Sequence, residues 1–131
     1  MTCARDLIKD CPNFSWQEFL KPPIVRDDLS LQEQNNVTRM AKALQHLRNG
    51  LFKNRAITIE SGYRTDAQNR AAGGSLGSYH RLGLAADINV AGLTPAKVQE
   101  MLADWHGGLG RYDAHTHIDL GPMRRWSGKS R

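Results

Sequence analysis

Leu84-Ala85-Ala86-Asp87-Ile88-Asn89-Val90 and His115-Thr116-His117-Ile118-Asp119-Leu120 are the stretches on which the reading of this chain turns. Side chains of a strand alternate between its two faces. In the first stretch Leu84, Ala86, Ile88 and Val90 share one face, and Ala85, Asp87 and Asn89 the other. In the second, Thr116, Ile118 and Leu120 share one face, and His115, His117 and Asp119 the opposite one. Each is expected to be a strand with an apolar core side and a polar side. If the two pair with polar faces aligned, Asp87 and His117 meet.

A third group stands close by. Gly73-Gly74-Ser75-Leu76-Gly77-Ser78 reads as a flexible loop leading straight into His80, free to fold back on the strands. Two imidazoles and a carboxylate suit a catalytic zinc, which takes three protein ligands and keeps a fourth position for water. His80, Asp87 and His117 are the candidate ligands, and Asp119 is a candidate for orienting a ligand imidazole from behind. Spacing alone leaves the alternative that these residues are unrelated, because the set lacks the compactness of a single-helix His-Glu-x-x-His motif.

Outward from this centre the elements obey local signals. Ser15-Trp16-Gln17-Glu18 and Ser30-Leu31-Gln32-Glu33 are capping-box patterns. The first predicts a short helix closed by Pro22-Pro23. The second opens a long helix with an apolar stripe of Val37, Met40, Ala41, Leu44, Leu47 and Leu51, ending at Asn49-Gly50. His46 falls outside the stripe and is expected at the surface. Residues 55–60 read as a strand, turned by Ser61-Gly62-Tyr63-Arg64. Thr65-Asp66 caps a short helix through 72. Thr94-Pro95 starts another, with Val98, Met101, Leu102 and Trp105 on its apolar side. Short strands are expected at 109–112 and 115–120. Helices first, then strands mixed with helices, argue an α+β fold. The expectation is one small domain over 1–131, its N-terminal helices packed on a short, mainly antiparallel sheet that carries the zinc site. Residues 1–13 and the basic tail 124–131 are expected to be peripheral.

Bulk properties set limits. A chain of 131 residues is one domain with room for a hydrophobic core. The formal net charge of +5 favours polyanionic partners, of which nucleic acid and the anionic bacterial wall are two. No recognition-helix or RNA-binding pattern accompanies the basic residues, so nucleic acid is not an expected partner. No apolar run reaches the length of a membrane helix, and no signal-peptide core is visible at the N-terminus. Cys3 and Cys11 could pair in an oxidising compartment or stay free in the cytosol.

Taken in order, these pieces resemble the zinc D-alanyl-D-alanine carboxypeptidase family of peptidoglycan peptidases, and within it the murein endopeptidase branch. They are Ser61-Gly62-Tyr63-Arg64, Ser78-x-His80-x-x-Gly83-x-Ala85-x-Asp87, Gly108-x-Gly110-x-Tyr112, His117-Ile118-Asp119-Leu120-Gly121 and Arg125-Trp126. Phe14-Ser15-x-x-Glu18-Phe19 fits the family's N-terminal segment. Each piece is weak alone, but the ordered set covers most of the chain and is specific.

The resemblance implies His80, Asp87 and His117 as ligands of one Zn²⁺. It implies that Arg64 faces the substrate, where a guanidinium fork can hold a carbonyl, an oxyanion or a carboxylate. It implies a monomeric peptidase acting on bacterial peptidoglycan, as an endopeptidase or a carboxypeptidase. Such a protein works at the wall, and a chain with no visible signal fits a bacteriophage lysis enzyme. One position departs from the pattern. Many members carry Asp or Glu three residues before the last zinc histidine, as general base, and here that residue is Ala114. His115, on the strand face of His117 and roughly 6–7 Å along the strand, is the favoured substitute. Asp113 is the other. The same departure supports an alternative, a zinc-containing module of this fold that binds peptidoglycan or a protein without cutting.

Overall fold

The computed structural model describes residues 6–75 and 77–129. Among the described residues, four α-helices, α1 (Trp16–Phe19), α2 (Leu31–Asn49), α3 (Asp66–Ala71) and α4 (Pro95–Met101), accompany five strands. These are β1 (Ile57–Ser61), β2 (Ala85–Val90), β3 (Gly108–Arg111), β4 (Thr116–Asp119) and β5 (Arg124–Ser127). They form one sheet in the order β1-β2-β4-β3-β5, antiparallel throughout except for the β3–β5 pair. The α+β expectation holds.

The helices begin where hydroxyl caps precede them. Ser30, Thr65 and Thr94 each accept a hydrogen bond from the backbone N–H three residues on, supplying one of the partners a helix start lacks. Val37, Met40, Ala41, Leu44 and Leu47 of α2 are buried as the stripe requires, and His46 is exposed. The stripe's last member differs: the helix ends at Asn49, Leu51 turns outward, and Phe52 takes the core position. Ala86, Ile88 and Val90 of β2, Leu109 of β3 and Ile118 of β4 join Val98 and Leu102 in the same core.

Two regions expected at the periphery are built in. Arg124–Ser127 is a strand, β5, paired with β3, so no tail begins before the end of that strand. Its charged side chains gave no apolar alternation, while the pairing uses backbone groups that any sequence carries. Within 1–13, Ile8 and Cys11 are buried beside Phe14, and Leu7 bridges Ser15. Burial raises the Cys11 thiol pKa. The pairing of Cys11 with Cys3 lies outside the described residues.

Candidate metal centre and its cleft

The central ladder sets the geometry. Asp87 of β2 and His117 of β4 are direct cross-strand partners. His117 Nδ1 lies 3.0 Å from Asp87 Oδ1, and His80 Nε2 lies 3.3 Å from the same oxygen. All three side chains are buried. Among the described residues they are the one group of three His, Cys, Asp or Glu side chains able to share a metal ion, with donor atoms within 4.8 Å of one another.

His80 arrives by a different device from the one expected. It sits on a 3₁₀ turn, Tyr79–Leu82, capped by the Ser78 hydroxyl and closed by Gly83. Gly83 has φ +79, and a Cβ there would stand 2.8 Å from Val37 Cγ2, so the turn packs against α2 only with glycine at this position. Asn36 of α2 donates to Leu82 O at 2.9 Å and fastens the turn further. Two reciprocal bonds tie it to the Ser61–Arg64 turn: Arg64 N–H donates to His80 O at 2.9 Å, and His80 Nδ1 donates to Gly62 O at 2.7 Å. The second bond fixes the tautomer and leaves the His80 Nε2 lone pair facing the centre.

His117 is held from behind by Asp119. Its Nε2 lies 2.8 Å from Asp119 Oδ2. Asp119 is 1 % exposed and accepts from the Gly108 and Gly121 N–H groups and from Arg124 Nη2. Burial pushes its pKa up, but the bonds from His117 and Arg124 outweigh that and bring it down to about 2. Burial likewise acts to raise the Asp87 pKa, yet bonds from His117 and His80 hold it well below the usual carboxylate range. Burial acts to lower the His117 pKa, and the two carboxylates beside it more than reverse this, so it is raised.

The donor set fits a zinc ion. Zn²⁺ holding each donor at ~2.0–2.2 Å in a tetrahedron puts neighbouring donors roughly 3.3 Å apart. Here Asp87 Oδ1 is 3.0 Å and 3.3 Å from the two ring nitrogens. Each imidazole commits its other nitrogen to an oxygen acceptor, the arrangement expected behind a metal-ligating histidine.

The predicted catalytic groups flank this set. Arg64 Nη2 is 3.4 Å from Asp87 Oδ2, while Nε and Nη1 donate to Ser61 and Asn69 at 3.1 Å and 3.4 Å. His115 precedes β4 rather than lying within it, yet its Nε2 comes within 3.8 Å of Asp87 Oδ2. Its ring stacks on Tyr112 at 4.5 Å. The turn that carries it is held by buried Gln99 of α4, whose amide donates to Tyr112 O, His115 O and Thr116 Oγ1. Among the described residues the cleft wall includes His115, whereas Asp113 is exposed and stands outside that wall.

All of this opens into a cleft of about 960 Å³. Its wall runs from Glu60 and Ser61 on edge strand β1 to Trp126 on edge strand β5, across the whole sheet. Asp87 and His117 sit midway, on β2 and β4, and His80 joins them from the Tyr79–Leu82 turn. Sequence reasoning missed Gln99, and it missed Arg124 as part of the site. The visible signal for Arg124 was a match of alternations, Gly108-x-Gly110 beside Arg124-x-Trp126.

Two imidazoles and a carboxylate thus meet at the floor of an open cleft, in a small α+β domain, as a group that could hold a metal ion. The chain belongs to the peptidase M15 family, whose model matches residues 13–119. It is 33% identical over 85 residues to the probable peptidoglycan L,D-endopeptidase MepK of Haemophilus influenzae, covering 59% of this chain and 46% of that protein. It is 32% identical over 91 residues to the peptidoglycan L,D-endopeptidase MepK of Escherichia coli K12, covering 63% of this chain and 50% of that protein. The chain thus spans about half the length of the curated relatives it matches. The family resemblance read from the ordered motifs holds.

Proposed function

We propose that this domain is a zinc-dependent endopeptidase that hydrolyses a peptide bond in the stem peptides or cross-links of bacterial peptidoglycan. The observation that carries the reading is the convergence of His80, Asp87 and His117 midway along a cleft that crosses the sheet from edge to edge. A carboxypeptidase needs its cleft closed on one side of the scissile bond. A cleft continuing past the metal group in both directions accepts a chain running through, which favours endopeptidase action. Family membership and the activity named for the two MepK relatives support peptidoglycan as substrate.

His80 Nε2, Asp87 Oδ1 and His117 Nδ1 are the proposed ligands. Zinc bound there supplies a Lewis acid that polarises the scissile carbonyl and acidifies water. Arg64, already aimed at the Asp87 side of the centre, holds the substrate carbonyl and stabilises the negative charge that develops on it. His115 takes the proton from the attacking water and returns it to the leaving amine. The proposed enzyme acts as a monomer. The place of action is the cell wall, and no helix among the described residues is long and apolar enough to cross a membrane.

Mass spectrometry of muropeptides tests the reading directly. Purified peptidoglycan incubated with zinc-loaded protein should yield fragments with new amine termini inside the stem peptide, and a chelator should abolish them. Release of only a terminal residue would refute endopeptidase action. No cleavage of any wall chemotype would favour the binding module suggested by Ala114.

A further inference from the structure

β5 is separated from β4 by β3, yet its side chains reach those of β4. Arg124 Nη2 lies 2.7 Å and 2.8 Å from the two Asp119 oxygens. The Trp126 ring lies 5.1 Å from the His117 ring, centroid to centroid. The intervening strand makes this reach feasible. Gly108 pairs with Asp119 on one side and Arg124 on the other, and Gly110 pairs with His117 and Trp126. A Cβ at Gly108 would stand 2.4 Å from Asp119 Oδ2 and 2.5 Å from Arg124 Nη2. A Cβ at Gly110 would stand 2.7 Å from Trp126 Cε2. The two glycines leave a trough across which the outer strand meets the ligand strand. Arg124 is itself held in place: its Nε donates to Pro122 O at 3.1 Å, and its guanidinium lies over the Tyr79 and Trp126 rings at 5.0 Å and 5.2 Å.

We propose that Arg124 is a positioning residue of the metal centre, acting through Asp119 on His117. Its guanidinium fixes the orientation of the Asp119 carboxylate. That carboxylate holds the His117 Nε2–H and so keeps Nδ1 turned toward Asp87 and His80. Trp126 packs on the imidazole and limits its rotation. The inference rests on the proposed role of His117 as a zinc ligand.

The test is the zinc dissociation constant of the full chain, measured by competition with a chromophoric chelator. Arg124→Gln and Asp119→Asn should each weaken zinc binding about tenfold, the lower end for loss of a group behind a ligand. Arg124→Lys, which keeps the charge, should fall between wild type and Arg124→Gln. The double variant should bind no more weakly than Asp119→Asn alone, because Arg124 acts through Asp119. Additive losses, or wild-type affinity in Arg124→Gln, overturn the proposal. Gly108→Ala fills the trough without replacing either charged residue and should give a loss of the same size; unchanged affinity in a folded Gly108→Ala protein overturns it as well. His117→Ala separates the two levels. It should abolish binding, and if it does not, the ligand assignment fails together with the inference. If it does and Arg124→Gln still binds as wild type, only the positioning role fails.

Discussion

Replacing His115 with alanine separates proton transfer from metal binding. His115 Nε2 is 3.8 Å from Asp87 Oδ2, whereas the atoms assigned to the metal converge on Oδ1. The imidazole therefore stands beside the proposed ligand set without belonging to it, and zinc content should remain at one ion per chain. Losing a general base lowers turnover by roughly 10²–10⁴-fold, which is about 2.7–5.4 kcal/mol of transition-state stabilisation. Folding should be little disturbed. The structure shows a stacked contact with Tyr112 at 4.5 Å and 12°, and such pairs contribute about 0.5–1.5 kcal/mol. The assay is turnover of a defined muropeptide, with zinc measured on the same sample and thermal unfolding alongside. The expected pattern is a large loss in kcat with zinc stoichiometry kept and a melting point lowered by a few degrees. Asp113→Ala, altering an exposed residue outside the cleft wall, should retain near-wild-type turnover. Activity within a few-fold of wild type in His115→Ala, or loss of zinc from it, would refute the assignment of the base.

Other consequences are as direct. Single alanine substitutions of His80, Asp87 and His117 should each lose stoichiometric zinc on dialysis together with cleavage, as read by elemental analysis; retention of both in any one removes that residue from the ligand set. Gly83→Ala forces a side chain into a left-handed position and sets a methyl against Val37. It should cost more than ~1 kcal/mol in denaturant unfolding, and an unchanged midpoint would show that the His80 turn is not held as described. Tyr63 is pushed above the ordinary tyrosine range by burial and by its hydrogen bond to Glu33 at 3.0 Å. A pKa raised on folding stabilises the native state below the unfolded value, near 10, and that stability is lost as pH rises through the folded value. Wild-type protein should therefore lose stability in the alkaline range more steeply than Tyr63→Phe; parallel curves would contradict the shift.

The features legible in the sequence were those that local physics decides. Ser15, Ser30, Thr65 and Thr94 mark helix starts because a cap acts within one turn. Alternation placed Asp87 and His117 on matching faces because the period of a strand is fixed. Contacts set by distant partners stayed hidden. Phe52 rather than Leu51 enters the core because the helix stops at Asn49 and the chain turns. Residues 124–131 read as a peripheral basic tail, and the strand Arg124–Ser127 within them stayed hidden because an edge strand needs only backbone partners, which β3 provides. The glycine-rich loop was expected to deliver His80 by flexibility. The turn it leads into is instead pinned by Asn36, Gly62 and the packing of Gly83 on Val37, all distant in sequence.

The two histidines face the centre with different nitrogens, and the fold explains why. His117 and Asp119 lie two residues apart on one face of β4, so the outer nitrogen of the imidazole, Nε2, meets Asp119 along the strand, leaving Nδ1 to face Asp87 across the ladder. His80 enters from a turn, with its Nδ1 against the Gly62 carbonyl, so its Nε2 points inward. In both cases an acceptor belonging to the scaffold fixes the ring before any ligand arrives. Organising the site therefore costs little rotamer entropy on binding, and small changes behind the rings are felt at the centre. Gly62 contributes its acceptor through the backbone, and a Cβ there would stand 2.8 Å from Phe19 O, so a side chain at this position displaces the acceptor rather than tuning it. Asp119 contributes a side chain, and with Arg124 it is where the proposed centre would be tuned without removing a proposed ligand.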